Sequence, residues 1–138
     1  MAIDDNREVV RQFIERVFER GETAAVDELV ADDFVPHTYP GTTDREGLKR
    51  AMERVSQGLD DAKFTIDDVI AEDDRVAVRL TSGATQIGEF MGMPPSGKHY
   101  EIEEIHIFRL RDGRISEHWH QFDQLGMMRQ LGAMPARQ

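Results

Sequence analysis

The chain contains no cysteine, so it has no disulfide framework, no thiolate nucleophile and no cysteine-ligated zinc. It is also poor in lysine, with only Lys49, Lys63 and Lys98, and its net charge is −10 over 138 residues. No arginine cluster offsets that balance, which excludes a nucleic-acid partner, whose phosphates demand a basic face. No apolar run approaches the length of a membrane span. The segment Met1 to Asp5 lacks the basic start and apolar core of a secretory signal, so a cytoplasmic protein with no membrane partner is expected. An acidic, lysine-poor surface suits a salt-rich cytosol, but high-GC coding produces the same bias. Also missing are a glycine-rich phosphate loop opening a helix and a G-x-S-x-G nucleophile elbow. The doublets Asp4-Asp5, Asp32-Asp33, Asp60-Asp61, Asp67-Asp68 and Asp73-Asp74 fall at helix starts and turns, where carboxylates cap, and are not spaced as a calcium loop.

What remains is ordinary globular material, with 39% hydrophobic and 32% charged residues, of a size for one domain over residues 1–138. Val9, Val10, Phe13, Ile14, Val17 and Phe18 recur at steps of three and four. They predict a first helix, capped by Asp4 or Asp5 and ended by Gly21. A short helix over 23–30 buries Val26, Leu29 and Val30. Phe34 and Val35 then start an extended segment, followed by a polar-aromatic loop over 37–41. Asp44 caps a third helix over 45–57, with Leu48, Met52 and Val55 inward and Gly58 as terminator. From Lys63 the period changes to two, with strands around Phe64 to Ile70 and Val76 to Thr81, then a breaker-rich loop from Met91 to Gly97. Asp123 caps a last short helix, with Leu125, Met128 and Leu131 apolar. Helices first and antiparallel strands after predict an α+β fold, with three N-terminal helices packed on one side of a twisted sheet and a concavity between them.

The stretch His99 to Asp123 gathers the chemistry. It reads as a β-hairpin, and its loop length decides which side chains share a face. A two-residue type I′ turn at Asp112-Gly113 would oppose Leu110 to Ile115 and put His106 on a face with Trp119 and Asp123. A three-residue loop with a bulge would oppose Leu110 to Arg114 and shift the phase by one. Glu104, His106, His118, His120 and Phe122 would then line one face, and Ile105, Ile107, Ile115 and Trp119 the other. The second arrangement is preferred because it collects the imidazoles on one surface and an apolar set on its reverse.

Imidazoles on one face suit acid/base work, since histidine titrates near neutrality and a neighbouring carboxylate such as Glu104 or Asp123 fixes its tautomer. His37 is a candidate wall from the helical side, and Trp119 a core residue, a subunit contact or a substrate platform. An H-x-H pair on one strand with a third imidazole on the next also fits a metal site on His106, His118 and His120. The methionines, Met91, Met93, Met127, Met128 and Met134 among them, flank the expected pocket mouth and suit gap-filling or an adaptable apolar wall.

Short words spread over nearly the whole chain resemble one family. They include Asp33-Phe34-Val35 with His37; Asp44-Arg45-Glu46-Gly47-Leu48; Ile70-Ala71-Glu72-Asp73-Asp74-Arg75-Val76; Gly88-Glu89-Phe90 running into Pro94-Pro95-Ser96-Gly97-Lys98; and Ile107-Phe108-Arg109, Asp112-Gly113-Arg114-Ile115 and Glu117-His118-Trp119. In order and spacing these resemble the SnoaL-like polyketide cyclases, or ester cyclases, of the nuclear-transport-factor-two-like superfamily. The resemblance implies a cone-shaped fold, a homodimer, no cofactor, and an intramolecular aldol ring closure on a polyketide ester. It places His106 at the family's pocket histidine, His37 at a polar wall position and Asp123 at a second acid. His120 falls where the family usually has its catalytic aspartate.

The expected site is therefore His120 as general base or acid with His106 as partner or carbonyl polariser. His37, His118, Asp123, Glu104 and Trp119 are expected at a small apolar or aromatic, ketide-like substrate. No metal and no cofactor belong to this set. A non-catalytic module binding an apolar ligand in the same cone, and the three-histidine metal site, are the alternatives.

Overall fold

The computed structural model describes residues 3–37 and 41–133. The Thr38-Tyr39-Pro40 part of the expected loop and Met134 lie outside the described residues. Helix α1, Ile3–Phe13, continues into a π-helical turn, Ile14–Glu19. Val10, Phe13, Ile14 and Val17 of the expected stripe are buried. The wider turn displaces Phe18 from that stripe, so that it reaches the cavity described below. Helix α2, Ala25–Leu29, is short, and strand β1, Val30–Pro36, follows it directly. Helix α3, Arg45–Gly58, starts where expected: Asp44 is its N-cap, and the Asp44 carboxylate accepts from the Gly47 N–H at 2.8 Å.

Strands β2 (Leu59–Glu72), β3 (Arg75–Gln86), β4 (His99–Arg111) and β5 (Arg114–Phe122) form an antiparallel run, and helix α4, Gln124–Gln130, closes the chain. The sheet order is β1-β5-β4-β3-β2. The helices pack on one side of the curved sheet, as the α+β reading expects, but the sheet is mixed, because β1 pairs parallel with β5. No hairpin links these two strands, so no turn dictates their relative direction.

The 109–117 region corrects the hairpin expectation. Asp112 and Gly113 both take positive φ, 52° and 77°, and Leu110 opposes Ile115. This is the two-residue turn, not the three-residue one. The phase shift comes from a bulge one step further on. Ser116 is the extra residue, its hydroxyl donates to the Arg109 carbonyl, and beyond it Arg109 faces Glu117. His106 then opposes His120, and Phe108 opposes His118. The imidazoles therefore do share the inner face with Glu104, while Ile105, Ile107 and Trp119 take the outer one. Ile115 lies before the bulge and is fully buried in the core, not outside with them.

The core has two parts. The larger lies under α1 and α3 around Phe13, Ile14, Val26, Leu48, Val78, Leu80, Phe108 and Ile115; the smaller lies at the other end of the sheet around Ala84, Met93, Tyr100, Ile102, Met127 and Leu131. In α4 the inward pair is Met127 and Leu131, one turn apart, whereas Leu125 is 44% exposed. The Asp123 carboxylate caps α4 by accepting from the Gly126 N–H, which fixes the phase of so short a helix.

The loop from Ile87 to Lys98 is held by one buried side chain. The Gln86 amide donates to the carbonyls of Gly88, Met93 and Pro94, and its oxygen accepts from the Ser96 hydroxyl. Gln86→Leu removes the donor to all three carbonyls, the buried one of Met93 among them. We expect a stability loss of about 2 kcal/mol or more and new proteolytic nicking between residues 87 and 98. Urea unfolding and limited proteolysis check this.

Candidate active site

Along β4 the inner face reads Tyr100, Ile102, Glu104, His106 and Phe108, because successive side chains alternate across a strand. The polar pair thus interrupts two apolar stretches midway along the sheet. From β5, His118 and His120 meet it; from β3, Ser82 does. The Glu104 Oε1 accepts from His120 Nε2 at 2.7 Å and from His106 Nε2 at 3.0 Å. Its other oxygen accepts from the Ser82 hydroxyl. His106 Nδ1 faces His118 Nε2 at 2.8 Å. The rings of His106 and His120 stack at 3.9 Å between centroids.

This network assigns the protons. Burial pushes the Glu104 carboxyl up, but the hydrogen bonds from His106 and His120 outweigh it, and the net direction is well below the usual carboxylate range. Glu104 is therefore ionised and can only accept, so both Nε2 atoms facing it carry hydrogen. Burial pushes His106 down to about 4, against the opposing pull of Glu104, so His106 is neutral and its Nδ1 is a lone pair. His118 must then donate from Nε2. That leaves the His118 Nδ1 as a buried lone pair with no hydrogen bond, as found. Burial also drives His118 far down. An unmet acceptor in the interior costs less than an unmet N–H, so the chain of tautomers is self-consistent in this direction.

The reverse direction bears on a metal. The convergent ligand atoms are those of Glu104, His106 and His120, within 4.8 Å of one another. His118, expected in a three-histidine set, points at His106 instead. A cation among the three would require His106 to carry its proton on Nδ1 and His118 to carry its own on Nδ1. That would bury an N–H donor with no acceptor. The donor set fits a hydrogen-bonded carboxylate better than a metal centre.

The network opens on one side into a cavity of about 450 Å³ between α3, β2 and the ends of β4 and β5. That is the size of a pocket for a small organic ligand. Phe18, Met52, Val55, Phe64, Phe90, Ile102, Phe122 and Met127 give it apolar walls; Thr42, Arg54, Glu89, Tyr100, Glu104 and His120 are its polar members. His120 is the imidazole that reaches it. Its Nε2 donates to Glu104, so in the neutral ring the lone pair is on Nδ1.

The remaining expected residues lie elsewhere. His106 and His118 are 0% and 1% exposed and do not line the cavity; His106 meets it through its hydrogen bond to Glu104. His37 and Trp119 are on the outer face of the sheet. Their rings stack at 4.8 Å, and His37 Nε2 meets a Glu117 carboxylate oxygen at 2.9 Å. The parallel pairing of β1 with β5 puts His37 there and not on the helical side. Asp123 caps α4 and is not a wall of the cavity. Three residues escaped the sequence reading. Ser82 meets Glu104 through strand register alone, with no local signal. Phe18 depends on the π turn. Tyr100 could have been found, since it sits two and four residues before Ile102 and Glu104.

The family described as SnoaL-like polyketide cyclase matches residues 8–131. The aklanonic acid methyl ester cyclase AcmA of Streptomyces galilaeus is 32% identical over 129 residues, covering 86% of this chain and 88% of that protein. The aklanonic acid methyl ester cyclase DauD of Streptomyces sp. (strain C5) is 27% identical over 129 residues, covering 86% and 79%. Among solved structures, TsrD from Streptomyces laurentii superposes with a TM-score of 0.90 at 27% identity, covering 97% of this chain and 99% of that one.

Proposed function

The chain belongs to the SnoaL-like polyketide cyclase family, and from that premise we propose a cofactor-independent acid/base enzyme that closes a ring within a small polyketide-type ester. The observation that supports this most is the 2.7 Å hydrogen bond from His120 to Glu104 at the wall of an apolar cavity. A carboxylate behind an imidazole fixes its tautomer and stabilises the imidazolium that forms when the other nitrogen takes a proton. His120 Nδ1 removes a proton from a carbon flanked by carbonyl groups. The resulting carbanion attacks a ketone carbon of the same molecule, a carbon–carbon bond forms, and the alkoxide oxygen takes a proton. Nothing is lost, so the product has the mass of the substrate. The family's aspartate is absent at position 120, but the negative charge is present one strand away, on Glu104.

The test is conversion of a methyl ester carrying a 1,3-dicarbonyl chain to an isobaric cyclic product, with His120→Ala beside the wild type. Lost turnover with retained binding supports an enzyme. Binding without turnover by either protein supports a ligand-binding module instead.

The same reading includes a homodimer formed through the outer face of the sheet. Ile70, Ala77, Ile107 and Trp119 form one row across four strands, and Ile70 and Ile105 are 68% and 54% exposed. An apolar row flanked by both Arg79 and Glu103 suits a two-fold contact with itself. Ile107→Glu is expected to shift the protein from dimer to monomer in light scattering without changing its circular dichroism.

A further inference from the structure

Enolisation needs a hydrogen-bond donor at the oxygen where charge collects, and His106 does not line the cavity. We propose that Tyr100 is that donor: its hydroxyl hydrogen-bonds the substrate oxygen that becomes negative as His120 removes the carbon-bound proton. This rests on the acid/base reading above and deepens it. It also narrows the substrate to a 1,3-dicarbonyl compound whose enolate oxygen can reach the Tyr100 end of the cavity.

Tyr100 is 5% exposed, yet it lines the cavity, and its hydroxyl makes no hydrogen bond to any described residue. It stands on strand β4, paired with Ala84 of β3, and its ring lies parallel to that of Phe90 at 6.4 Å. Strand alternation places it on the face of Glu104, with only Ile102 between them on that face. Burial, and then the charge of Glu104, push its ionisation far above the ordinary phenol value. It therefore keeps its proton and donates. The other cavity donors are less suited. Arg54 stands exposed on α3, where water competes for it. Thr42 is buried but stands in the segment before α3, not on the strands that carry Glu104 and His120.

The step balances. The carbon–hydrogen bond breaks, its proton goes to His120 Nδ1, and the electron pair moves to the enolate oxygen against the Tyr100 O–H, which is not itself transferred. A fixed donor at such an oxygen contributes on the order of 10²–10³ to the rate in other enzymes.

Benzoylacetone is the probe, because its enolate absorbs apart from its neutral forms, and butyrophenone is the control that cannot form a stabilised enolate. At neutral pH the wild type is expected to bind benzoylacetone with an enolate band. Tyr100→Phe should lower the bound enolate fraction at least about tenfold while still binding butyrophenone; Thr42→Val should lower that fraction by less than Tyr100→Phe does. An enolate band in Tyr100→Phe equal to that of the wild type overturns the role of Tyr100 alone, as does a larger loss of the band in Thr42→Val than in Tyr100→Phe. Absence of the band in the wild type overturns this proposal and the acid/base reading together. If Tyr100→Phe no longer binds butyrophenone, 3-fluorotyrosine at position 100 decides. A more acidic phenol must raise the enolate fraction, and no change overturns the role.

Discussion

Glu104→Gln is expected to lower kcat by roughly 10²–10³-fold while leaving the fold intact. Glutamine keeps the shape. Its carbonyl can still accept from His106 and His120, and its amide can turn to the Ser82 oxygen. What it removes is the negative charge that stabilises the His120 imidazolium. His120→Asp should be worse in a different way. It places a second carboxylate against the buried Glu104, and an uncompensated buried charge costs about 3–5 kcal/mol. The two changes together bring the charge back to one carboxylate, now at the position where the resembling family carries its aspartate. We therefore expect the double variant to be more stable than His120→Asp and more active than either single one. Steady-state kinetics and urea unfolding of the four proteins form a double-mutant cycle with strong coupling. An additive result would mean that the two residues do not share one function.

Acid is expected to destabilise this protein earlier than it does a protein governed by carboxylates alone. Burial holds His106 down to about 4 and holds His118 well below its ordinary value, whereas in the unfolded chain each takes a proton near 6.5. Between these values the unfolded state binds more protons than the native state, so stability falls as pH falls. For His106 the full loss is about 3 kcal/mol, reached once pH has dropped to about 4, and His118 adds to it. Glu104, held low in the native state, contributes in the same direction, but only from the ordinary carboxylate pKa downward. Urea midpoints measured from pH 7 down to 4 should therefore drop steeply from about pH 6.5. His118→Gln keeps a donor toward His106 Nδ1 but cannot titrate, and should flatten that slope. Unchanged midpoints down to pH 5 would contradict the burial of neutral imidazoles.

The stripe of α1, the Asp44 cap and the switch to a period of two after Lys63 were all legible, because each is a local signal. The π turn was not, since nothing in Ile14 to Glu19 distinguishes it from a regular helix. The grouping of Glu104 with three imidazoles was reached through the wrong loop. Asp112-Gly113 forms the tight turn those residues favour, and the phase change comes from a bulge at Ser116, which carries no turn signature. His37 shows the limit of placing residues by resemblance: the direction of β1 is set by pairing across the whole chain, and that pairing puts it against Trp119 on the outer face. Glu104 was read as a neighbour of the histidines, yet it is their common acceptor. Its two imidazole partners lie on two strands, and only register brings them to one oxygen.

In the proposed reaction His120, steered by Glu104, takes a proton from carbon. Exchange of the central methylene hydrogens of benzoylacetone with deuterium oxide measures that step without requiring the natural substrate. The wild type should exchange them at least about 10²-fold faster than His120→Ala, with equal affinity for butyrophenone in both. Equal exchange rates in the two proteins would contradict the claim.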